Sequence, residues 1–469
     1  MKLDPQLKQD SGYAWVLSKL ETASPFGSAL ARNPAWFGPG QECELAEELL
    51  RVEQALAWDG AHLETLIHLL SEFHDIRSSF HRHSNAPMDM VELFEVKHFL
   101  LRLERLATAY APAPLSGVSI VPMDDMLALL DPSGRKLPPF HIEDSFDPAL
   151  ERIRMEKAQV EAQLRSEQNE ELMRRRHDLV RQEDAAELNA RRRLTTALLR
   201  EKDRFLSTMD ALGQLDLSVA KAKLARKYNC IKPEIGGTAV LLREMVHPQV
   251  AHSLAEKGTE FTPVSARLEL GCTVVTGANM GGKSVAMKSI VLNLLLLHTG
   301  FFVFAEAMSS PLFHSVHLIG ADGQSVEQGL SSFGAEVKQL DQVLRAEKGR
   351  FFFLALDEFA RGTNPREGAA LARALVSHLN TLNCIALMTT HYDGVADAAR
   401  LHYQVAGLDE RARKIDYRLI LSPPDAPCPQ DALKVCRLLD LDPVSLMMIS
   451  TIWISKISLM NFLNFKKGK

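Results

Sequence analysis

Apolar residues recur every three or four positions along the front of the chain, which is the spacing of helices with one buried face. This spacing predicts helices over residues 45–58, 62–80 and 90–110. A long charged run follows, from 147 to 204, with both signs mixed and no Gly or Pro after Pro148. Its sparse apolar stripe consists of Ile153, Val160, Leu164, Leu172 and Leu179. The run predicts an extended helical arm or a coiled-coil hairpin.

The back half of the chain carries short apolar runs instead. Residues 272–276, 351–356 and 384–390 are too short for typical helices and predict buried strands. Residues 284–298 lack glycine and predict a helix. Strands that alternate with helices are typical of a mostly parallel sheet with helices on both faces. We therefore predict an α/β domain of this kind, preceded by an all-α core and the arm.

A complete phosphate-binding loop follows the first of these strands. Residues 277–284 read Gly-Ala-Asn-Met-Gly-Gly-Lys-Ser, which fits the pattern G-x-x-x-x-G-K-S. Glycines let the backbone fold tightly enough to point its N–H groups at phosphate oxygens, and the helix N-terminus adds a favourable partial charge. Lys283 is expected to reach the β- and γ-phosphates, and Ser284 to hold Mg²⁺. The predicted phosphate-binding residues are Gly277, Ala278, Asn279, Met280, Gly281, Gly282, Lys283 and Ser284.

Acidic and imidazole side chains follow the other two strands. Asp357 and Glu358 end the second strand, where Asp357 is expected to hold Mg²⁺ through a water and Glu358 to polarise the attacking water. His391 follows the third strand and is expected to contact the γ-phosphate or that water. A solvated acid pair and a structural histidine are the alternatives. The order of these elements predicts an ATP hydrolase with Glu358 and His391 as catalytic residues.

With these motifs the chain resembles the MutS family of DNA mismatch-recognition ATPases. The likeness covers roughly residues 240–440 and rests on four segments in the family's order. They are Thr-Gly-Ala-Asn-Met-Gly-Gly-Lys-Ser at 276–284, Ser-Ser-Phe-x-x-Glu at 331–336, Asp-Glu-Phe-Ala-Arg-Gly-Thr at 357–363 and Thr-Thr-His-Tyr at 389–392. The stretch Gln-Ser-Val-Glu-Gln at 324–328 is most similar to the MutS2 branch.

The resemblance implies a homodimer in which each ATP site is completed by the partner. Ser331 and Ser332 match the element that reaches across to the partner's γ-phosphate, although Ser332 also suits a helix N-cap. Phe261, ahead of the loop, is a candidate for stacking on adenine or for a place in the core. The expected domains are a helical core at 1–146, a lever and clamp-like arm at 147–230, a MutS-type P-loop ATPase at 231–425 and a C-terminal helical dimerisation segment at 426–469.

Two kinds of partner fit this interpretation. The front of the chain lacks a Phe-x-Glu mismatch-reading element, so we expect a reduced family member. In the first hypothesis, ATP drives movement of the arm on DNA in mismatch repair or recombination. In the second, the chain remodels a partner enzyme without DNA, as the MutS-like subunit of lysine 5,6-aminomutase reactivase is proposed to do. Candidate DNA contacts, for which a solvated helix face is the alternative, are Arg174, Arg175, Arg176, Arg191, Arg192 and Arg193.

Net charge and cysteine content bear on the possible DNA contacts and on the compartment of the protein. The 469 residues carry a formal net charge of -5, so any contact with DNA must be local. Six cysteines without a C-x-x-C pair and the absence of an apolar h-region at the start indicate a cytoplasmic protein with reduced thiols. Residues 444–462 are mostly apolar. A buried or dimer-facing helix or a non-native tail is expected there, rather than a membrane helix.

Overall fold

The computed structural model describes residues 3–81, 86–167, 169–277, 282–320, 332–409 and 414–423. The chain divides into two compact units. The α/β unit comprises Met1–Lys19, Ala35–Leu49 and Leu224–Lys469, and the helical unit comprises Leu20–Pro34 and Leu50–Lys223. The four functional domains and their boundaries stay a prediction.

The chain up to residue 228 is built from helices. In order they are α1 (Pro5–Asp10), α2 (Tyr13–Ser18), α3 (Pro25–Arg32), α4 (Glu42–Ala57), α5 (Gly60–Ser71), α6 (Arg77–Phe80), α7 (Met90–Tyr110), α8 (Asp124–Leu130), α9 (Pro148–Ser166), α10 (Glu170–Arg200) and α11 (Lys202–Tyr228). The predicted helix at 90–110 is confirmed, and α4 corresponds to the helix predicted at 45–58.

The prediction of a single helix over 62–80 is wrong, because a non-helical segment separates α5 from α6. Phe73 and Ile76 are both buried, so the apolar spacing continues across the break and gives no sign of it. The carboxylate of Asp75 accepts a hydrogen bond from the N–H of Arg77 at 3.0 Å. A short acidic side chain that bonds the backbone two residues ahead favours a turn, and this bond lies between the end of α5 at Ser71 and the start of α6 at Arg77.

The charged run folds as a hairpin of α9 and α10 within the helical unit. Ile153, Val160 and Leu179 from the predicted stripe are buried. Ion pairs lace the two helices together: Arg154 contacts Glu183 at 2.9 Å and Glu187 at 2.7 Å. Of the two predicted forms, the helical hairpin is therefore the one that is observed.

The α/β unit contains the strands and the remaining helices. In chain order these are β1 (Glu234–Ile235), β2 (Val240–Met245), α12 (Pro248–Ala255), β3 (Val264–Leu268), β4 (Gly271–Thr276), α13 (Lys283–His298), β5 (Ala307–Ser310), β6 (Ser315–Gly320), α14 (Ser332–Ala346), β7 (Phe352–Asp357), α15 (Pro365–Leu379), β8 (Cys384–Thr390), β9 (Leu401–Asp409) and β10 (Lys414–Leu421). The predicted strands appear as β4, β7 and β8, and the predicted helix as α13.

The larger sheet has the order β10-β9-β4-β8-β7-β6. Its pairs are parallel except for β9 with β10, which are antiparallel. Every residue of β4 and β8 is buried, so both faces of the sheet are covered. Residues of α14 and α15, among them Leu340 and Val376, share one core cluster with this sheet. The α/β class is thereby confirmed.

A second, smaller sheet has the order β1-β5-β2-β3 and mixes parallel and antiparallel pairs. No pattern in the sequence predicted it. None of the helices in the described residues is both long enough and apolar enough to cross a bilayer. The apolar stretch 444–462 and the predicted dimerisation segment lie outside the described residues.

Candidate functional site

The ends of the loop between β4 and α13 depend on two glycines with left-handed backbone. Gly277 has φ 151° and Gly282 has φ 81°. Gly282 is also the N-cap of α13, and a Cβ there would lie 2.4 Å from Cδ1 of Tyr417. The predicted phosphate-binding residues Ala278, Asn279, Met280 and Gly281 lie outside the described residues. The described ends already place the N-terminus of a long helix, with its unpaired N–H groups, directly after the loop.

Lys283 connects the two ends of this loop. Its side chain is 3% exposed, and its Nζ donates to the carbonyl oxygen of Gly277 at 2.8 Å. The same Nζ lies 3.8 Å from Oε1 of Glu358. A buried ammonium group at a helix N-terminus makes this end of the site favourable for an anion.

The carboxylate of Asp357 accepts hydrogen bonds from hydroxyl groups of two other segments. Ser284 donates to its Oδ1 at 2.9 Å, and Thr389 donates to the same oxygen at 2.7 Å. The register of the parallel pair places Asp357 opposite Thr389, so β7 and β8 deliver both groups to one edge of the sheet. A carboxylate beside a hydroxyl offers the oxygen ligands that Mg²⁺ prefers. Among the described residues, no group of three or more His, Cys, Asp and Glu side chains could hold a metal ion.

Glu358 lies in a strained turn immediately after β7. Its φ is 52°, which is unusual for a residue with a side chain. Its N–H donates to Oγ1 of Thr389 at 3.0 Å, and its Oε2 accepts from Nη1 of Arg361 at 2.9 Å. The side chain is 13% exposed. The turn therefore holds a carboxylate between two cations, and strain of this kind is concentrated at functional sites.

Ala360 is held on both sides of its backbone by side chains. Its φ is 65°, its N–H donates to Oε2 of Glu336 at 3.1 Å, and its carbonyl accepts from the hydroxyl of Tyr392 at 2.9 Å. Burial raises the pKa of Glu336, the bond from Ala360 lowers it, and the negative charge of Asp357 raises it further. A buried acid is thus retained beside the turn that carries Glu358.

Lys283, Ser284 and Glu358 line a cavity of about 430 Å³. One part of its wall is charged or polar and the other is apolar and aromatic. The lining residues are Val250, Leu254, Phe261, Val264, Gly282, Lys283, Ser284, Val285, Ala286, Glu358, Arg361 and Tyr417. Cavities of this size and mixed lining hold small ligands. The arrangement suits a molecule with a flat apolar part and an anionic tail.

Phe261 lines this cavity, which is compatible with the predicted stacking on adenine. His391 does not line it. The ring of His391 lies 4.5 Å from that of Tyr392, and its buried Nδ1 has no hydrogen-bond partner among the described residues. Ser332 is the first residue of α14. Ser331 and the side chain of Ser332 lie outside the described part of the chain, so their role stays a prediction.

The six candidate DNA-binding arginines all lie on α10 in the helical unit. Arg174, Arg175 and Arg176 form ion pairs with Glu170, Glu156 and Glu161, respectively. Arg193 pairs with Asp147. Arg192 donates to the amide oxygen of Asn189 at 3.5 Å, and Arg191 forms no ion pair with a described residue. The first triplet is therefore largely neutralised by local acids, whereas Arg191 and Arg192 lack acidic partners among the described residues.

Three residues of the candidate site are not predicted from the sequence. Tyr417 and Arg361 line the cavity, and Glu336 holds the turn beside it. Arg361 and Glu336 lie inside the family motifs but had no role assigned. Tyr417 lies on β10, which reaches the loop only through its pairing with β9, and no local pattern signals that contact. The spacing of Val250 and Leu254 on α12 is the one signal that could have marked the apolar wall.

The part of the chain that carries these residues is similar to known proteins. Residues 273–423 match the family model for MutS domain V. The protein named endonuclease MutS2 is 30% identical over 256 residues in Symbiobacterium thermophilum, which is 54% of this chain and 31% of that protein. The protein of the same name in Thermomicrobium roseum is 32% identical over 272 residues, which is 53% of this chain and 32% of that protein. The matches thus span about a third of the length of these relatives. Residues 273–423 thus match MutS domain V, and about half of the chain is similar to proteins named endonuclease MutS2.

Substitution of Thr389 tests whether its hydroxyl group stabilises the site through these hydrogen bonds. Thr389→Val removes the bonds to Asp357 and to the N–H of Glu358, and we expect a loss of about 1–3 kcal/mol in the free energy of unfolding. Thr273→Val is the matched control, because Thr273 is fully buried on the neighbouring β4 and its hydroxyl has no partner among the described residues. Urea unfolding measures both. Equal effects of the two changes would contradict the bonding described here.

Proposed function

We propose that this chain is a MutS-family, Mg²⁺-dependent ATP hydrolase of the P-loop type. One observation carries the proposal above the others: the hydroxyl of Ser284 bonds the carboxylate of Asp357 at 2.9 Å, at a cavity that also contains buried Lys283 and Glu358. A lysine and a serine at a helix N-terminus, with a strand-end acid pair opposite, form the donor set that phosphoryl transfer needs.

The cavity supports a nucleotide in one orientation. The phosphates would lie at the N-terminus of α13, where Gly282 and Lys283 provide N–H groups and a cation. The base would lie against the aromatic rings of Phe261 and Tyr417, between the apolar side chains of α12 and β3. This orientation joins a flat apolar group to an anionic tail, as in ATP.

Ser284 and Asp357 are the residues that would hold Mg²⁺. Both present oxygen atoms, and the serine already lies within hydrogen-bond distance of the carboxylate. When bound, Mg²⁺ would neutralise part of the phosphate charge. Thr389 keeps Asp357 in place through its own bond to Oδ1.

Glu358 is the proposed general base. Its carboxylate would accept a proton from the attacking water, and the contacts with Lys283 and Arg361 orient that carboxylate. Arg361 contacts Oε2 while Lys283 faces Oε1, so each oxygen has its own cation. His391 is proposed to contact the γ-phosphate or the water, as the family resemblance implies.

A homodimer is proposed to complete the site. A loop of hydroxyl and N–H groups stabilises phosphate charge only when a second subunit is docked. Ser331 and Ser332 of each chain would supply this contact to the partner's nucleotide. Activity would then depend on assembly, and the ATP cycle would drive the hairpin of α9 and α10 in the cytoplasm.

DNA is the first candidate for what the hairpin engages. The relatives are named endonucleases, which are enzymes that act on nucleic acid, and Arg191 and Arg192 offer cations without acidic partners among the described residues. The alternative is a partner enzyme that the hairpin grips and remodels. The ion pairs that neutralise Arg174, Arg175 and Arg176 favour this alternative over a broad DNA surface on the hairpin.

The base is tested by Glu358→Gln, which should preserve ATP binding and lower turnover by about 10²-fold or more, because the amide cannot accept the proton. Lys283→Ala should instead weaken binding. Single-turnover phosphate release and a fluorescent-nucleotide titration measure the two effects. Glu367→Gln, an exposed acid in the first turn of α15, is the control and should change neither. Near-normal hydrolysis by Glu358→Gln would contradict the assignment of Glu358 as the general base.

The DNA hypothesis predicts a graded response along α10. Changing Arg191 and Arg192 to Gln should weaken binding and reduce the log–log salt slope by about 0.9 for each phosphate that the protein no longer neutralises. Changing Arg174, Arg175 and Arg176 should have a smaller effect, because local acids already occupy them. ATP binding, measured in parallel, should survive all these changes. If the unmodified protein shows no salt-dependent binding to duplex, branched or mismatched DNA, the partner-enzyme hypothesis takes its place.

A further inference from the structure

We propose that Glu336 and Tyr392 are positioning residues for hydrolysis, which together clamp Ala360 and so fix the turn that carries Glu358. The proposal rests on the proposed function, since it concerns the residue assigned there as the base. Neither side chain lines the cavity. Both would act through the backbone of residues 357–361.

The turn needs restraint from outside. Glu358 and Ala360 both have left-handed φ angles, of 52° and 65°, although neither is glycine. This conformation brings Cβ close to the following carbonyl, so a free chain avoids it. Only surroundings that over-determine the backbone keep two such residues in one turn. Thr389 restrains Glu358 at the start of the turn, and Ala360 requires its own restraint.

Glu336 supplies the restraint on the N–H side. Its side chain is buried, yet α14 otherwise turns apolar residues such as Leu340 and Val343 into the core. A carboxyl group in that setting is unfavourable unless it is hydrogen-bonded. Its Oε2 accepts the bond from the N–H of Ala360 at 3.1 Å. The acid therefore has a specific use in this turn that an apolar side chain of equal size lacks.

Tyr392 supplies the restraint on the carbonyl side. Its hydroxyl donates to the oxygen of Ala360 at 2.9 Å. Gly368 of α15 leaves room for this contact, because a Cβ there would lie 2.6 Å from the tyrosine hydroxyl and 3.0 Å from the Ala360 oxygen. Helix α15, Tyr392 and the turn thus pack closely around the carbonyl group of Ala360.

The clamp joins the turn to two other segments. Glu336 lies in the first turns of α14, a helix that begins at Ser332. Tyr392 directly follows His391. A shift of either segment acts on Ala360 through one hydrogen bond and, through the short turn, on Glu358. The position of the base is therefore coupled to both segments that are predicted to contact phosphate.

The test uses Tyr392→Phe, Glu336→Ala and Glu336→Gln in the full chain. Tyr392→Phe and Glu336→Ala should each lower kcat for ATP roughly tenfold and leave KM within about twofold, because they loosen the base and not the binding groups. Glu336→Gln should restore kcat to near the unmodified value, since its carbonyl oxygen still accepts from Ala360. Amide hydrogen exchange should rise roughly tenfold in the segment 357–363 for the first two variants.

Two controls separate positioning from general loosening. Tyr403→Phe removes a buried hydroxyl that bonds the backbone of Arg267, far along the chain from the turn. Glu347→Ala removes a buried acid just past the end of α14. Both should leave kcat and exchange at 357–363 unchanged. If Glu336→Ala fails to fold, Tyr392→Phe and Glu336→Gln still decide the question.

The outcomes are distinct for the two proposals. Unchanged kcat in Tyr392→Phe, in a protein whose unmodified form hydrolyses ATP, overturns the positioning role alone. Equal losses in Tyr392→Phe and Tyr403→Phe overturn it as well. An unmodified protein without ATPase activity overturns the proposed function and the positioning role with it. In that case the exchange data still show whether Ala360 is clamped.

Discussion

The site depends on one carboxylate oxygen that receives two hydroxyl groups. Oδ1 of Asp357 accepts from Ser284 at 2.9 Å and from Thr389 at 2.7 Å. These bonds join the start of α13, the end of β7 and the end of β8, which come from three distant parts of the sequence. Parallel pairing sets their register, so the buried sheet determines where the polar groups meet. The loop, the acid pair and the strand end therefore form one unit.

Backbone strain is the second constraint on this unit. Glu358 and Ala360 adopt left-handed angles that a chain with side chains avoids. The unfavourable backbone energy is offset by Thr389, Glu336 and Tyr392, each of which bonds a backbone group of the turn. Such an arrangement aims a carboxylate into the cavity and keeps it there. It also makes the position of Glu358, the proposed base, sensitive to segments that do not line the cavity.

The sequence predicts those elements whose signals are local. Buried runs indicated β4 and β8, and the glycine pattern indicated the start of α13, because burial and backbone geometry impose residue types directly. The break between α5 and α6 was missed, because the apolar spacing continues across it and the side-chain bond of Asp75 before α6 does not change that spacing. Tyr417 was missed for another reason. It reaches Gly282 because β10 pairs with β9, which pairs in turn with β4 from a distant part of the sequence, and such contacts leave no mark on nearby residues.

The central claim is that Lys283, Ser284, Asp357 and Glu358 form an ATP site with a place for Mg²⁺. Isothermal titration with a slowly hydrolysed ATP analogue, with and without Mg²⁺, tests it most directly. We expect one nucleotide bound per chain and an affinity at least about tenfold tighter with Mg²⁺, a difference of about 1.4 kcal/mol. Binding that is absent at millimolar analogue, or equally tight without Mg²⁺, would contradict it.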